Sequence, residues 1–328
     1  MGGAARILTL TLVVVALSLA AHAQSPARVA RIGYLGSSSP SLEAQWIDAF
    51  RQRLRELSYV EGRSITLEYR WADGRDERLP GLATELVNAK VDIIVTTGTP
   101  SAFAAKRATT TIPIVMASAG DPVRSGLIAS LARPGANLTG VTVLGPELEG
   151  KRLGYLKQAI PGISRVAVIW NPANPAIRFY LQAAQDVART SQLTLEPVTE
   201  IRRVEDFESA LATITRARPD ALIVLADRFL LAHRRRIVDF AVTRRLPGMY
   251  AYPEYVDAGG LMSYAPDNAA LFRDAASYVD KILRGAKPGD LPVQEPSKFE
   301  LAINLKTARA LGLTLSQSLL LQADRVVQ

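Results

Sequence analysis

The amino-acid sequence predicts an α/β protein built from two similar doubly wound parallel-sheet lobes joined by a multi-strand hinge. Three observations lead there. The chain has 328 residues, 48% of them hydrophobic and 21% charged, and at about this length a single core stops growing and a globular chain divides in two. Short β-branched apolar runs alternate with amphipathic segments from Val29 to Asn304, the pattern of βα units in a parallel sheet. The alternation comes as two successive series with no Gly/Ser/Pro-rich linker between them, so the boundary near residues 143–147 reads as a direct strand crossing, which is a hinge. No identity recurs at a fixed period, so the repetition is architectural.

In the first series Val29–Leu35 is a strand. Leu42, Trp46, Phe50 and Leu54 then recur every four residues, one stripe of a helix whose other face carries Arg51, Arg53 and Glu56; that spacing reads as core. Ile65–Trp71 alternates as a second strand, Leu79, Leu82 and Leu86 mark a second helix, Val91–Val95 is a buried third strand and Ile112–Met116 a fourth. The second series follows Gly140-Val141-Thr142-Val143, with strands at Arg165–Trp170, Leu193–Val198, Ala221–Ala226 and Pro247–Tyr250. Its helices are marked by Ile177/Leu181/Ala184 and Phe207/Leu211/Ile214. Gly260–Tyr264 adds a strand, Leu271/Ala275/Val279/Ile282 a helix and Lys298–Asn304 a last strand, so the chain crosses between lobes more than once. The expected division is lobe 1 at 28–143 with roughly 265–290 returning to it, lobe 2 at 144–264 with roughly 297–312 returning, and a tail at 313–328.

The first 23 residues read as an export signal: Arg6 supplies the positive end, Ile7–Ala20 the apolar run, and Ala21-His22-Ala23 a small-x-small cleavage site. The run is shorter than the about 20 residues a membrane span needs. The absence of cysteine excludes thiolate metal sites, redox motifs and lipid attachment through an N-terminal Cys. Cleavage removes His22 and leaves His233, so zinc sites of two or three imidazoles within one chain are excluded. His233 precedes Arg234-Arg235-Arg236 and reads as a partly exposed helix residue. A formal charge of +8 suits nucleic acid, an anionic surface or a soluble basic protein equally. The densest basic stretch, Arg234–Arg236 with Arg244 and Arg245, lacks interleaved aromatics and reads as a solvated helix face.

Several familiar motifs fail on chemistry. Gly145–Lys151 has the G-x4-G-K spacing of a phosphate loop, but Arg152 stands where the magnesium hydroxyl belongs, and Glu147 and Glu149 would oppose a phosphate. The segment is better read as a helix start with acids in its first turn. Gly33-x-x-Gly36 is not a dinucleotide fingerprint, and no G-x-S-x-G or H-E-x-x-H occurs. No catalytic residue, metal or cofactor is expected.

What remains is the row of loops after the strands, where open α/β sheets bind ligands. Ser37, Ser38 and Ser39 follow strand one, Thr96-Thr97-Gly98-Thr99-Pro100-Ser101 follows strand three, and strand four delivers Ser118-Ala119-Gly120-Asp121. Hydroxyls with free backbone N–H groups at helix starts make a neutral cradle for a carboxylate; the same residues also serve as helix caps. The second series contributes Asn171, Asn174 and Asp227. An acid at position 227 suits an ammonium group, with capping as the competing role, and Tyr252, Tyr255 or Tyr264 could stack on a ring or simply pack.

The runs Arg31–Leu35, Val95–Thr99, Gly120-Asp121-Pro122-Val123, Arg133–Gly140, Gly259–Tyr264 and Phe299–Lys306 together resemble the periplasmic solute-binding components of ABC transporters with a type I two-lobed fold. The subfamily is the one often associated with tryptophan or tyrosine, and the likeness covers essentially the whole mature chain. The resemblance implies a monomeric periplasmic protein, a small ligand in a cleft between lobes, and delivery to a membrane permease, with no nucleic acid. The implied contacts are Ser37–Ser39, Thr97–Ser101, Ala119–Asp121, Asn171, Asp227 and Tyr264, and the leading ligand is an aromatic amino acid or other small carboxylate. The chain departs from Gram-positive relatives in lacking a lipobox cysteine. The alternatives are an exported hydrolase using Asp121 or Asp227, for which the sequence offers no second acid in the same loop, and a ligand-sensing module on the same fold.

Overall fold

Strands buried along their whole length need a layer on each face, and the structure, a computed structural model that describes residues 29–328, supplies those layers twice. The expected export signal lies outside the described residues. The first sheet is formed by β1 (Ala30–Gly36), β2 (Ile65–Trp71), β3 (Ile93–Thr97), β4 (Ile114–Ala119) and β5 (Leu138–Thr142). All its pairings are parallel, in the order β2-β1-β3-β4-β5. Helices α1 (Pro40–Glu56), α2 (Leu79–Asn88) and α3 (Thr99–Ala108) connect these strands.

The chain crosses at Val143-Leu144 into the second lobe, which holds α4 (Gly145–Ala159), β6 (Arg165–Trp170), α5 (Ile177–Thr190), β7 (Thr194–Glu200), α6 (Asp206–Ala217) and β8 (Ala221–Val224). There follow α7 (Arg228–Ala232), α8 (Arg234–Thr243), β9 (Gly248–Tyr250), α9 (Glu254–Asp257) and β10 (Met262–Pro266). The next helix, α10 (Asn268–Leu283), goes back to the first lobe, where Arg53 Nε donates to Ser277 Oγ at 3.1 Å and Tyr59 Oη donates to Asp280 Oδ1 at 3.1 Å. The chain then returns as β11 (Phe299–Asn304), α11 (Leu305–Leu311), α12 (Gln317–Leu320) and β12 (Arg325–Val327). The second sheet runs β12-β11-β10-β9-β8-β6-β7, and β11 is antiparallel to β10.

The crossings lie side by side. Gln294 N donates to Gly140 O at 2.9 Å while Thr142 N donates to Gln294 O at 2.9 Å, and Asp267 N donates to Lys298 O at 3.0 Å. Three strands of chain thus pass between the lobes as a narrow hydrogen-bonded band, the form a hinge takes when two packed bodies rotate about it.

Two differences from the sequence reading have physical reasons. The third and fourth strands run two or more residues past their apolar segments, because Thr96, Thr97 and Ser118 continue the ladder as buried hydroxyls. The tail adds a strand that the sequence did not mark: β12 pairs in parallel with β11, Asp324 Oδ2 accepts from Leu301 N at 2.8 Å, and Arg325 reaches Glu300 and Asp257. An edge strand of three residues is too short to carry a period.

The failed phosphate motif has a structural role in α4. Glu149 and Arg152, one turn apart, are both buried; they form an ion pair, and Arg152 Nε also donates to the Tyr264 carbonyl at 2.9 Å. Burial pushes the Glu149 carboxyl up while Arg152 pulls it down, with a raised net value. Removing one member of such a pair strands the other charge. We expect Glu149→Ala to lower the unfolding free energy by about 3–5 kcal/mol, read from the midpoint of urea denaturation.

Candidate functional site

The C-terminal ends of the two sheets face each other, and the lobes meet there in a closed arrangement. One apolar cluster runs through the seam, from Ile32, Tyr34, Trp46 and Phe272 in the first lobe to Phe229, Leu230, Tyr250 and Tyr255 in the second. At its centre is a cavity of about 30 Å³, lined from the first lobe by Gly98, Thr99, Ser118 and Gly120 and from the second by Asn174, Asp227, Arg228 and Tyr252. That volume holds little more than a water, so this is the closed conformation of the cleft.

Each lining group is fixed by its own local structure. Gly98 precedes α3 at φ 86°, in the left-handed region that glycine adopts without strain. A Cβ there would stand 3.2 Å from Ser37 Oγ and 3.3 Å from Arg228 Cγ, so the missing side chain is what lets the stem of Arg228 lie against this turn. Thr99 Oγ1 accepts from Gly120 N at 3.0 Å, locking the loop after β3 to the loop after β4. Gly120 is also a close approach: an added Cβ would collide with Tyr180 Oη, which reaches over from α5.

Asp227 is the N-cap of α7. Its Oδ1 accepts from Leu230 N at 3.1 Å and from Asn171 Nδ2 at 3.1 Å, and its Oδ2 accepts from Asn174 Nδ2 at 3.0 Å. The two asparagines and the acid are therefore a single network, with the capping role prominent. Burial pushes the Asp227 carboxyl up against the pull of its asparagine donors. Across the seam stands Asp76, on the loop after β2, whose buried Oδ1 accepts no hydrogen bond. That loop is pinned by Asp73 N and Gly74 N donating to the carbonyls of Ser38 and Ser37 at 3.1 and 2.9 Å. A Cβ on Gly74 would stand 3.1 Å from Ala232 Cβ, a measure of how tightly the loop meets the second lobe. Burial, then the charges of Asp227 and Glu77, push the Asp76 carboxyl up to about 8.

Of the residues singled out from sequence, Gly98, Thr99, Gly120, Asn174, Asp227 and Tyr252 line the cavity, and Asn171 holds Asp227 from behind. Ser37 donates to the Thr97 carbonyl at 2.8 Å, Ser38 to Glu43, and Ser101 back to the Thr97 and Gly98 carbonyls. These three hydroxyls shape the turn without lining the cavity. Ser39 caps α1 through its backbone only, with its hydroxyl 3.1 Å from that of Ser41. Thr97 Oγ1 lies 3.5 Å from Ser118 Oγ, and Ala119 offers its carbonyl to Val143 N and Thr142 Oγ1. Asp121 lines a separate recess with Arg124, Leu144 and Glu147. Tyr264 lies apart from the cavity, stacked on Phe299 at 5.8 Å and tilted against Tyr155.

The residue that sequence reasoning missed is Arg228. Only 5% exposed, it projects from the first turn of α7 across the seam. Its Nη2 donates to Ser118 Oγ at 2.9 Å, and its guanidinium carbon lies 4.3 Å from the Trp46 ring centroid and 4.9 Å from that of Tyr252. The available signal was a lone arginine after an acid at the end of a buried strand, overshadowed by the arginine-rich run six residues on.

Residues 37–327 match the family model described as ABC transporter substrate binding protein. A tyrosine-binding protein of Clostridioides difficile is 28% identical over 234 residues, which are 71% of this chain; the chain spans 66% of that relative's length. A conserved domain protein from Vibrio cholerae superposes with a TM-score of 0.86 at 27% identity, covering 91% of this chain and 100% of that one. An ABC domain from Streptococcus pneumonia in complex with L-Trp gives a TM-score of 0.85 at 25% identity with the same coverage.

Two outcomes test this geometry. Gly120→Ala forces Tyr180 away from the loop after β4, so small-angle scattering should report a larger radius of gyration than the wild type in the most closed state each reaches. The second concerns pH. Asp76 keeps its proton to about pH 8 in the folded, closed state, whereas a free aspartate loses it near pH 4. Its contribution to stability is therefore complete below about pH 4 and is lost as pH rises toward 8. Asp76→Asn should flatten the fall of stability between those limits by at most about 1.4 kcal/mol per pH unit, the limit for one proton, measured by chemical denaturation across the range.

Proposed function

The chain belongs to the ABC transporter substrate-binding protein family, and from that premise we propose that it is an extracytoplasmic, periplasmic binding protein that captures an aromatic α-amino acid and hands it to a membrane permease. The observation that carries this reading is the closed seam itself, in which groups at the strand ends of both lobes converge on one cavity. Each lobe alone supplies half a site, so a ligand bridging them stabilises the closed form by its differential affinity for it. The relatives whose names mention tyrosine and L-Trp supply the choice of ligand class.

The cavity is too small to admit such a ligand while the lobes stay as they are, so entry goes with rotation about the three-stranded band at residues 142–145, 266–268 and 294–298. The contacts proposed are Gly98, Thr99, Ser118 and Gly120 on one side and Asn174, Arg228 and Tyr252 on the other. Release without turnover is part of the proposal. A hydrolase working through Asp121 and Asp227 would need the two carboxylates in one cavity, whereas Asp227 is engaged by three donors and Asp121 belongs to another recess.

The test is a thermal-shift screen of refolded, ligand-stripped protein against amino acids, sugars, nucleosides and organic acids. A ligand at about 100 times its dissociation constant adds about 2.7 kcal/mol, enough to raise the melting temperature by several degrees. Tryptophan or tyrosine should give such a shift and be recovered unchanged; a shift from sugars or nucleosides alone sinks the amino-acid reading.

A further inference from the structure

Arg228 carries a buried donor that the protein alone leaves without an acceptor. The side chain is 5% exposed, and among the described residues no carboxylate lies within 4.0 Å of its nitrogens, although shorter ion pairs occur elsewhere in the chain. Among the described residues, its one side-chain hydrogen bond runs from Nη2 to a neutral hydroxyl, Ser118 Oγ. The other terminal nitrogen, Nη1, is buried with no acceptor. A buried ion without a partner is among the most expensive arrangements a protein can hold. Guanidinium cannot escape by releasing its proton: burial pulls its pKa down, but the fields of Tyr252, Glu43 and Glu254 outweigh that pull.

The acids near it act on the charge from a distance and none bonds to Nη1. Glu43 is turned toward Tyr34 and Ser38, which donate to its two oxygens, and burial pushes its carboxyl up. Glu254 is likewise pushed up by burial. The two aromatic faces of Trp46 and Tyr252 attract the cation but supply no acceptor for Nη1. All of this occurs at the wall of the interlobe cavity, beside Gly98, Thr99 and Ser118.

We propose that Arg228 is the specificity-determining residue of the cleft, and that the counter-ion it lacks is the carboxylate of the bound solute. This rests on the binding-protein reading above and deepens it by naming the charged group that the site requires. Seated between two rings and tethered to Ser118, the guanidinium is oriented in advance, and a carboxylate arriving as the lobes part and reclose completes its bonding. An amine lacking the carboxylate would leave the charge uncompensated and add a second cation beside it.

The experiment is calorimetric titration of wild type, Arg228→Gln and Arg228→Lys with three kinds of probe: the amino acids L-tryptophan and L-tyrosine, their deaminated acids indole-3-propionate and 3-(4-hydroxyphenyl)propionate, and their decarboxylated amines tryptamine and tyramine. Wild type should bind carboxylate-bearing probes at least about tenfold more tightly than the amines, since a charged hydrogen bond is worth a factor of about ten to a hundred or more. Arg228→Gln should lose that discrimination, weakening the acids by about tenfold to a hundredfold and the amines far less, and Arg228→Lys should restore part of it. Equal loss for acids and amines, or discrimination that survives Arg228→Gln, overturns the assignment while leaving the amino-acid reading intact. Binding of deaminated acids but not of amino acids, with the same dependence on Arg228, overturns the amino-acid reading and supports the assignment. If wild type binds none of the six probes, both are wrong. Thermal denaturation of each variant alone separates loss of fold from loss of charge recognition.

Discussion

The guanidinium of Arg228 is removed from water at the seam where two sheets present their strand ends to each other, and its surroundings are organised around that fact. Trp46 and Tyr252 enclose it, Ser118 receives one of its donors, and Gly98 gives up a side chain so that its stem fits against the turn after β3. Three of these four neighbours belong to the first lobe, whereas Arg228 and Tyr252 belong to the second. Opening the cleft therefore returns the charge to water, and closing it again costs desolvation that the fields of Glu43 and Glu254, the two rings and Ser118 offset in part and an acceptor for Nη1 would offset further.

Precision at this seam comes from hydroxyls and amides that are already spoken for. Ser37, Ser38 and Ser101 bond to main chain or to Glu43, Thr99 ties two loops together, and Asn171, Asn174 and the start of α7 all converge on Asp227. Groups held in this way lose little freedom when a ligand arrives. The polar richness of the strand-end loops thus has two layers, one that sets loop shape and one that faces the cavity. Composition alone cannot separate them, because a capping serine and a ligand-binding serine are the same residue in different hydrogen-bond company.

The fold was legible for a simple reason: buried parallel strands such as Val166–Ile169 and Leu222–Val224 are continuous β-branched or aliphatic runs, and the helices between them repeat at helical spacing. Strand ends were less legible, since Thr96, Thr97 and Ser118 look like loop residues until the neighbouring strands are seen to pair with them. Within α1 the stripe at Leu42, Trp46, Phe50 and Leu54 concealed a second role. Trp46 packs against Phe272 and also carries a guanidinium over its ring, and Glu43 is buried on that same face through bonds to Tyr34 and Ser38. Arg228 was hidden for the converse reason. Arginine next to an acid on a helix start reads as a solvated pair, and only the opposing lobe, more than a hundred residues away in sequence, turns it inward.

Charge is distributed unevenly across the seam. Arg228 brings to the cavity wall a cation held by the fields of Glu43 and Glu254 but with Nη1 lacking an acceptor, while Asp76 and Asp227 bring two carboxyls to the seam from opposite lobes, one of them with an oxygen that accepts no hydrogen bond among the described residues. Burial first, and then the charge of Asp227, favours a proton on Asp76, which eases the repulsion between the two acids. Arginine has no equivalent escape. The two ends of the seam therefore differ: the acids adjust by holding a proton, whereas a negative group near Arg228 meets a donor, Nη1, that has no acceptor among the described residues. The carboxylate end is thus the more demanding of the two, and differential affinity for the closed state is expected to come mainly from it.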